Sequence, residues 1–177
     1  MAAATQPVTA YLTLAEYLQT SYHPDREFVD GVLEERNAGG TKHGLLQMQL
    51  GYWFISHRTE WKIRVLSELR TLVRDDRVRL PDVAVVPEDA ALAEEPRVTP
   101  PLIAIEILAP DDRLNRVLVR LEDFLSMGIP HVWLLDPIER VAFSYTRDGL
   151  KLVSTPHLAI PGSPIFLDLP ELFAALD

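Results

Sequence analysis

At 177 residues and 47% hydrophobic content, the chain has the length and apolar fraction of a single globular domain, expected to span residues 1–177. Its 26 acidic against 17 basic side chains leave a formal net charge of −9, which argues against a protein held to nucleic acid or membrane by bulk charge alone. The lack of cysteine excludes disulfides and thiolate metal sites, and a reducing, cytoplasmic compartment is the simplest expectation.

The opening MAAATQPVTAYL has no basic n-region followed by an apolar stretch, so residues 1–12 read as a flexible terminus rather than a signal peptide. No apolar run approaches the roughly 18–20 residues that a membrane span needs, so no membrane partner is expected. Thr13-Leu14-Ala15-Glu16 has the form of a capping box, opening a short helix through about Ser21 with Leu14, Tyr17 and Leu18 on one face. EFVDGVLEER (27–36) predicts two short strands around Asp30-Gly31. A Gly-rich loop from Asn37 to Gly40 then leads into a helix over roughly 41–57, where Leu46, Leu50, Trp53 and Phe54 recur at helical spacing.

Strand-like segments follow near 61–67, 69–74, 82–87 and 102–108, the last two separated by a proline-rich, acidic stretch read as a surface loop or short helix. A second amphipathic helix is expected from Asp111 to Met127, with Leu114, Val117, Leu118, Leu121, Phe124 and Leu125 on its apolar face and Gly128 as its stop. HVWLLD (131–136), VAFSYT (141–146) and LKLVS (150–154) read as further strands. A closing helix is expected over 169–176, with Pro170 in its first turn. Strands mixed with two main helices give an α/β (α+β) layer fold.

There is no G-x-S-x-G, H-E-x-x-H or G-x-G-x-x-G, and the five histidines lack metal-ligand spacing. Two acids stand out because of where they sit. PPLIAIEILAP (100–110) reads as a strand buried on both faces, yet it carries Glu106; Asp82 stands at the mouth of the apolar run VAVV. An isolated buried carboxylate takes up a proton or finds a cation. If the two strands are neighbours, the carboxylates converge and suit a hard divalent ion. The plainer alternative is that each acid pairs with an arginine from the adjoining helix or caps a loop. A sugar-cleaving carboxylate pair is disfavoured because few aromatics lie near these acids.

The fragments TLAEYL, REFVDGVLEE, TKHGLLQMQL, LPDVAVVPED, IAIEILAPDDR and GIPHVWLLDP, in that order, resemble the Uma-type family of putative restriction endonucleases within the PD-(D/E)XK nuclease superfamily. The resemblance covers nearly the whole chain. It implies a restriction-endonuclease-like fold: a central mixed β-sheet flanked by helices, preceded by an N-terminal helix and hairpin. It implies Asp82 and Glu106 as ligands of Mg²⁺ or Mn²⁺, the backbone carbonyl of Ile107 as a third donor, and Glu27 as an acid beside the site. His43 matches a histidine common at the start of this helix, which implies either a substrate-facing group or a helix-terminal hydrogen-bonding residue. The pattern's lysine, two residues after the glutamate, is Leu108 here; Arg120 aligns with the lysine that Uma-type relatives supply from the following helix. Arginine keeps the charge but cannot act as a general base. Arg113, Arg116 and Arg120 form a stripe along that helix edge, which reads either as a solvated flank or as a set of cations that neutralise carboxylates or contact phosphates.

The implied activity is metal-dependent hydrolysis of phosphodiester bonds, with DNA as the expected substrate and a homodimer as the expected assembly. Trp53 and Trp133 read as exposed aromatics that could serve such a dimer. From Arg58 to Arg79 basic side chains outnumber acidic ones, which suggests either a DNA-facing wall or exposed strand faces of alternating charge. The rival expectation is a nuclease-like fold silenced by loss of the lysine, binding nucleic acid or protein without cutting.

Overall fold

The structure is a computed structural model and describes residues 11–36, 39–92 and 95–177. The flexible terminus expected over 1–12 therefore lies mostly outside the described residues, as do Asn37 and Ala38 of the Gly-rich loop.

The N-terminal third forms as local spacing dictates. Helix α1 (Leu14–Leu18) is opened by the full capping box, with Thr13 Oγ1 accepting from Glu16 N–H and the Glu16 carboxylate returning to Thr13. It ends three residues before the expected Ser21. Strands β1 (Arg26–Val29) and β2 (Val32–Glu35) pair antiparallel around Asp30 (φ 52°) and Gly31 (φ 82°), two consecutive left-handed residues that match the strand twist. Helix α2 (Thr41–Trp61) runs four residues past the expected end and buries Leu46, Leu50, Trp53 and Phe54.

Strands β3 (Ile63–Ser67), β4 (Thr71–Arg74), β6 (Val83–Pro87) and β7 (Ile103–Ile107) occupy the expected segments. The connection 87–101 holds no helix among its described residues. Helix α3 (Leu114–Met127) starts three residues later than expected and stops at Gly128, whose φ of 95° gives the left-handed cap. Strands β8 (His131–Asp136), β9 (Val141–Thr146) and β10 (Gly149–Leu152) follow, and α4 (Leu169–Ala174) closes the chain. Three strands were not expected: β5 (Arg77–Arg79), β11 (His157–Ala159) and β12 (Phe166–Asp168).

The central sheet has the order β10-β9-β8-β7-β6-β3 and is mixed, β7 and β8 being parallel and joined through α3. Strand alternation sorts its faces. Val83, Val85, Ile103, Ile105 and Ile107 pack toward Leu46, Leu50 and Phe54 of α2, while Ala104, Val132 and Leu134 pack toward Val117, Leu121 and Phe124 of α3. Each large apolar side chain buried this way contributes about 1.5–3 kcal/mol. A second sheet, β2-β1-β5-β4, carries a smaller core of Tyr17, Phe28, Val78 and Leu80. The expected architecture, a mixed central sheet between helices with an N-terminal helix and hairpin, is the one found.

Two expectations are corrected. Trp53 and Trp133 are buried, at 8% and 2% exposure, because Trp53 donates its indole N–H to Phe166 O inside the α2 core and Trp133 lies on a central strand. They cannot anchor a dimer; on α2 the aromatic that faces outward is Tyr52. The basic segment before Asp82 is not one continuous exposed face: Arg58, Lys62 and Arg74 are exposed, whereas its last arginines turn inward. Arg77 and Arg79 are buried on Asp123, Asp30 and Glu27, while Arg70 is bound to Asp25 and Arg74 to Asp76. Strand β5 pairs with β1 and lies under α3, which turns its arginines inward.

Candidate active site

The register of β6 and β7 builds the site. Val83 pairs with Ile105 and Ala84 with Ala104, so one further step sets Asp82 opposite Glu106. Both are 2% exposed. Glu106 shares the parity of Ala104, so it lies on the face covered by α3, within reach of Arg120. Asp82 stands just before β6. Its Oδ2 accepts from the backbone N–H of Ile107 (2.8 Å), and its carbonyl accepts from Gln47 of α2 (3.0 Å).

Three elements bring the remaining groups. The first turn of α2 puts His43 Nε2 at 3.3 Å from Asp82 Oδ2. The residue after β2, Arg36, hydrogen-bonds Asp82 Oδ1 through Nη2, with Nη1 at 3.5 Å from Glu68. From α3, Arg120 Nε donates to Glu106 Oε2 (3.1 Å), and its Nη2 lies 3.5 Å from Asp112. The cleft lined by these groups, with Ala109, has a volume of about 10 Å³, near the lower limit for one water. Glu106 Oε1 is buried with no hydrogen-bond partner.

Each carboxylate thus has an arginine: Glu106 takes Arg120 from the adjoining helix, as the plainer reading anticipated, while Asp82 takes Arg36 from the end of the hairpin instead, and the two acids lie together as the metal reading anticipated. Their protonation differs. Burial, then the neighbouring Asp82 charge, pushes Glu106 up to about 8, against the opposing pull of Arg120 and Arg36. Burial also works to raise Asp82, but the His43 contact, the Arg36 charge and the Ile107 N–H outweigh it and hold it below the usual range. Arg120 is pushed above its ordinary value: burial opposes its charge, and Glu106, Glu27 and Asp112 more than compensate.

Glu106 therefore takes up a proton on folding. Its folded pKa lies above its unfolded value, so its contribution to stability is complete below about 4.5 and is lost as pH rises through about 8. Asp82 acts in the opposite sense, but only in acid below its ordinary 3.8. Urea unfolding in EDTA from about pH 5 to 9 should show the wild type losing stability across that window, with Glu106→Gln losing markedly less. Parallel profiles for the two proteins would contradict the assignment.

The other expected residues are placed as follows. Ile107 lines the cleft. Glu27 is buried but does not line it: its carboxylate is held by Arg79 Nη1 (2.5 Å) and Leu80 N–H (3.2 Å). Arg113 and Arg116 are exposed at the start of α3. Among the described residues no group of three or more His, Cys, Asp or Glu is arranged to hold a metal. Arg36, Gln47 and Asp112 were not anticipated. Only Asp112 had a sequence signal, standing in the acidic pair 111–112 at the mouth of α3; nothing local links Arg36 to Asp82, 46 residues away.

The chain as a whole is similar to known proteins. The family model described as "Uma2: Putative restriction endonuclease" matches residues 12–174. The crystal structure of a putative nuclease belonging to DUF820 from Anabaena variabilis is similar, with a TM-score of 0.80 and 25% sequence identity, covering 93% of this chain and 99% of that one. No curated protein matches.

Proposed function

The chain belongs to the Uma2 family of putative restriction endonucleases, and from that membership we propose that it is a divalent-metal-dependent endonuclease hydrolysing phosphodiester bonds, with DNA as substrate. The observation that carries this reading is the pair of buried carboxylates facing each other across β6 and β7, with Glu106 Oε1 left without a partner. A buried, unsatisfied carboxylate oxygen is costly, and hard oxygen donors of this type fit Mg²⁺ or Mn²⁺. Asp82 and Glu106 would hold the ion, with the Ile107 carbonyl as the further donor that the family pattern implies. When bound, such an ion supplies Lewis acidity that acidifies water and offsets charge on the phosphate.

The chain's own residues orient the reaction. Arg120, already on Glu106 Oε2, binds the scissile phosphate or orients the attacking water; its guanidinium cannot take the proton. His43 positions Asp82 and stands at the substrate side of the site. Arg113 and Arg116 contact flanking phosphates from the exposed start of α3. Glu27 acts indirectly, by fixing Arg79 beneath the hairpin.

A second reading is a silenced site that binds without cutting. It is favoured by the tight cleft and by the arginines already seated on both carboxylates. Arg120→Lys separates the two. An active site should retain its rate on supercoiled DNA or gain up to about tenfold, because lysine keeps the charge and can also accept a proton once deprotonated. Activity absent from the wild type and appearing only in Arg120→Lys would establish the silenced site.

A further inference from the structure

We propose that Arg36 is a built-in counter-ion of Asp82, displaced when a divalent cation enters, and that it thereby sets the cation affinity of the site; this rests on the metal reading above. The contacts of Asp82 fall into two kinds. Oδ2 is held by the Ile107 backbone N–H, which cannot withdraw without disturbing the sheet, and by the shorter His43 side chain on the first turn of α2. Oδ1 is taken by a long, rotatable side chain standing just past β2. Arg36 also has a second anchor. Its Nη1 faces the exposed Glu68, while Nη2 reaches the buried Asp82. Releasing Asp82 leaves the guanidinium beside a carboxylate in water.

Space and charge point the same way. With Arg36 seated, about 10 Å³ remains, too little for a cation that keeps any water. Two guanidinium groups then face the incoming ion. Arg120 has reason to stay, because it bridges Glu106 Oε2 and Asp112 and leaves Oε1 open. Arg36 is the group whose departure both makes room and restores a donor oxygen on Asp82.

The test is calorimetric titration of Mn²⁺ into the full chain. Arg36→Ala and Arg36→Gln should bind at least about tenfold tighter than wild type, a difference of about 1.4 kcal/mol. Arg36→Lys should stay within about threefold of wild type. Arg147→Ala, which removes an equal charge from an exposed turn, controls for bulk charge and should leave affinity unchanged. Should Arg36→Ala fold poorly in EDTA, the Gln variant carries the comparison, and Mn²⁺ should raise its Tm more than that of wild type. Unchanged or weaker binding in both Ala and Gln variants overturns the role of Arg36. If that binding is still abolished by Glu106→Gln, the metal reading stands without it. No binding by any variant overturns both.

Discussion

Alanine at Asp82 should lower Mg²⁺-dependent DNA cleavage by at least about 10³-fold while changing DNA affinity by less than about threefold. Asp82 is the hub of the site: the hairpin end through Arg36, α2 through His43 and Gln47, and β7 through the Ile107 N–H all converge on it. Removing its carboxylate takes away one of the two acids proposed to hold the ion and leaves Glu106 alone. Asp82→Asn is the conservative companion, because it preserves shape and can still accept from Ile107, yet it lacks the charge. Both should be inactive. Cleavage within tenfold of wild type in the alanine variant would remove Asp82 from the chemistry.

The largest effect on stability is expected away from the carboxylate pair. Arg79→Ala should cost about 3–5 kcal/mol, read as a fall in the urea midpoint at neutral pH. Arg79 is 2% exposed and joins β5 to three acids: Glu27 at 2.5 Å, Asp123 at 2.7 Å and Glu34 at 3.3 Å. Without it Asp123 keeps Arg77, but Glu27 keeps only the Leu80 N–H and remains a buried charge. The contrast is Arg26→Ala, which breaks a more exposed pair with Glu35 and should cost less than about 1 kcal/mol. A loss below about 1 kcal/mol for Arg79→Ala would show that the network is solvated rather than internal.

Which features the sequence disclosed follows from the range of the forces involved. The capping box at Thr13, the Asp30-Gly31 turn, the apolar faces of α2 and α3 and the stop at Gly128 depend on neighbours within a few residues. All were legible. Asp82 and Glu106 were legible for a different reason: a carboxylate in an apolar run has few stable explanations, and the two runs proved to be paired strands. Arg36 and Asp123 depend on which strands meet, and that choice spans more than 40 residues of chain. Arg77-Val78-Arg79 reads as a polar connection until β1 pairs with it and α3 covers it. The same tertiary pairing turns the end of the basic segment, Arg77 and Arg79, into internal ion pairs. Trp133 is buried because β8 is covered on both faces, which HVWLLD alone does not disclose.

The central claim is that the facing acids hold a divalent ion for phosphodiester cleavage. Its most direct test is the rate at which the wild-type chain nicks supercoiled DNA in Mg²⁺ or Mn²⁺, against the same protein in EDTA and against Glu106→Ala. The account predicts nicking that requires the divalent ion and vanishes in the variant. Nicking that persists in EDTA or in Glu106→Ala, or its absence from the wild type at every divalent concentration on DNA and RNA alike, would contradict it.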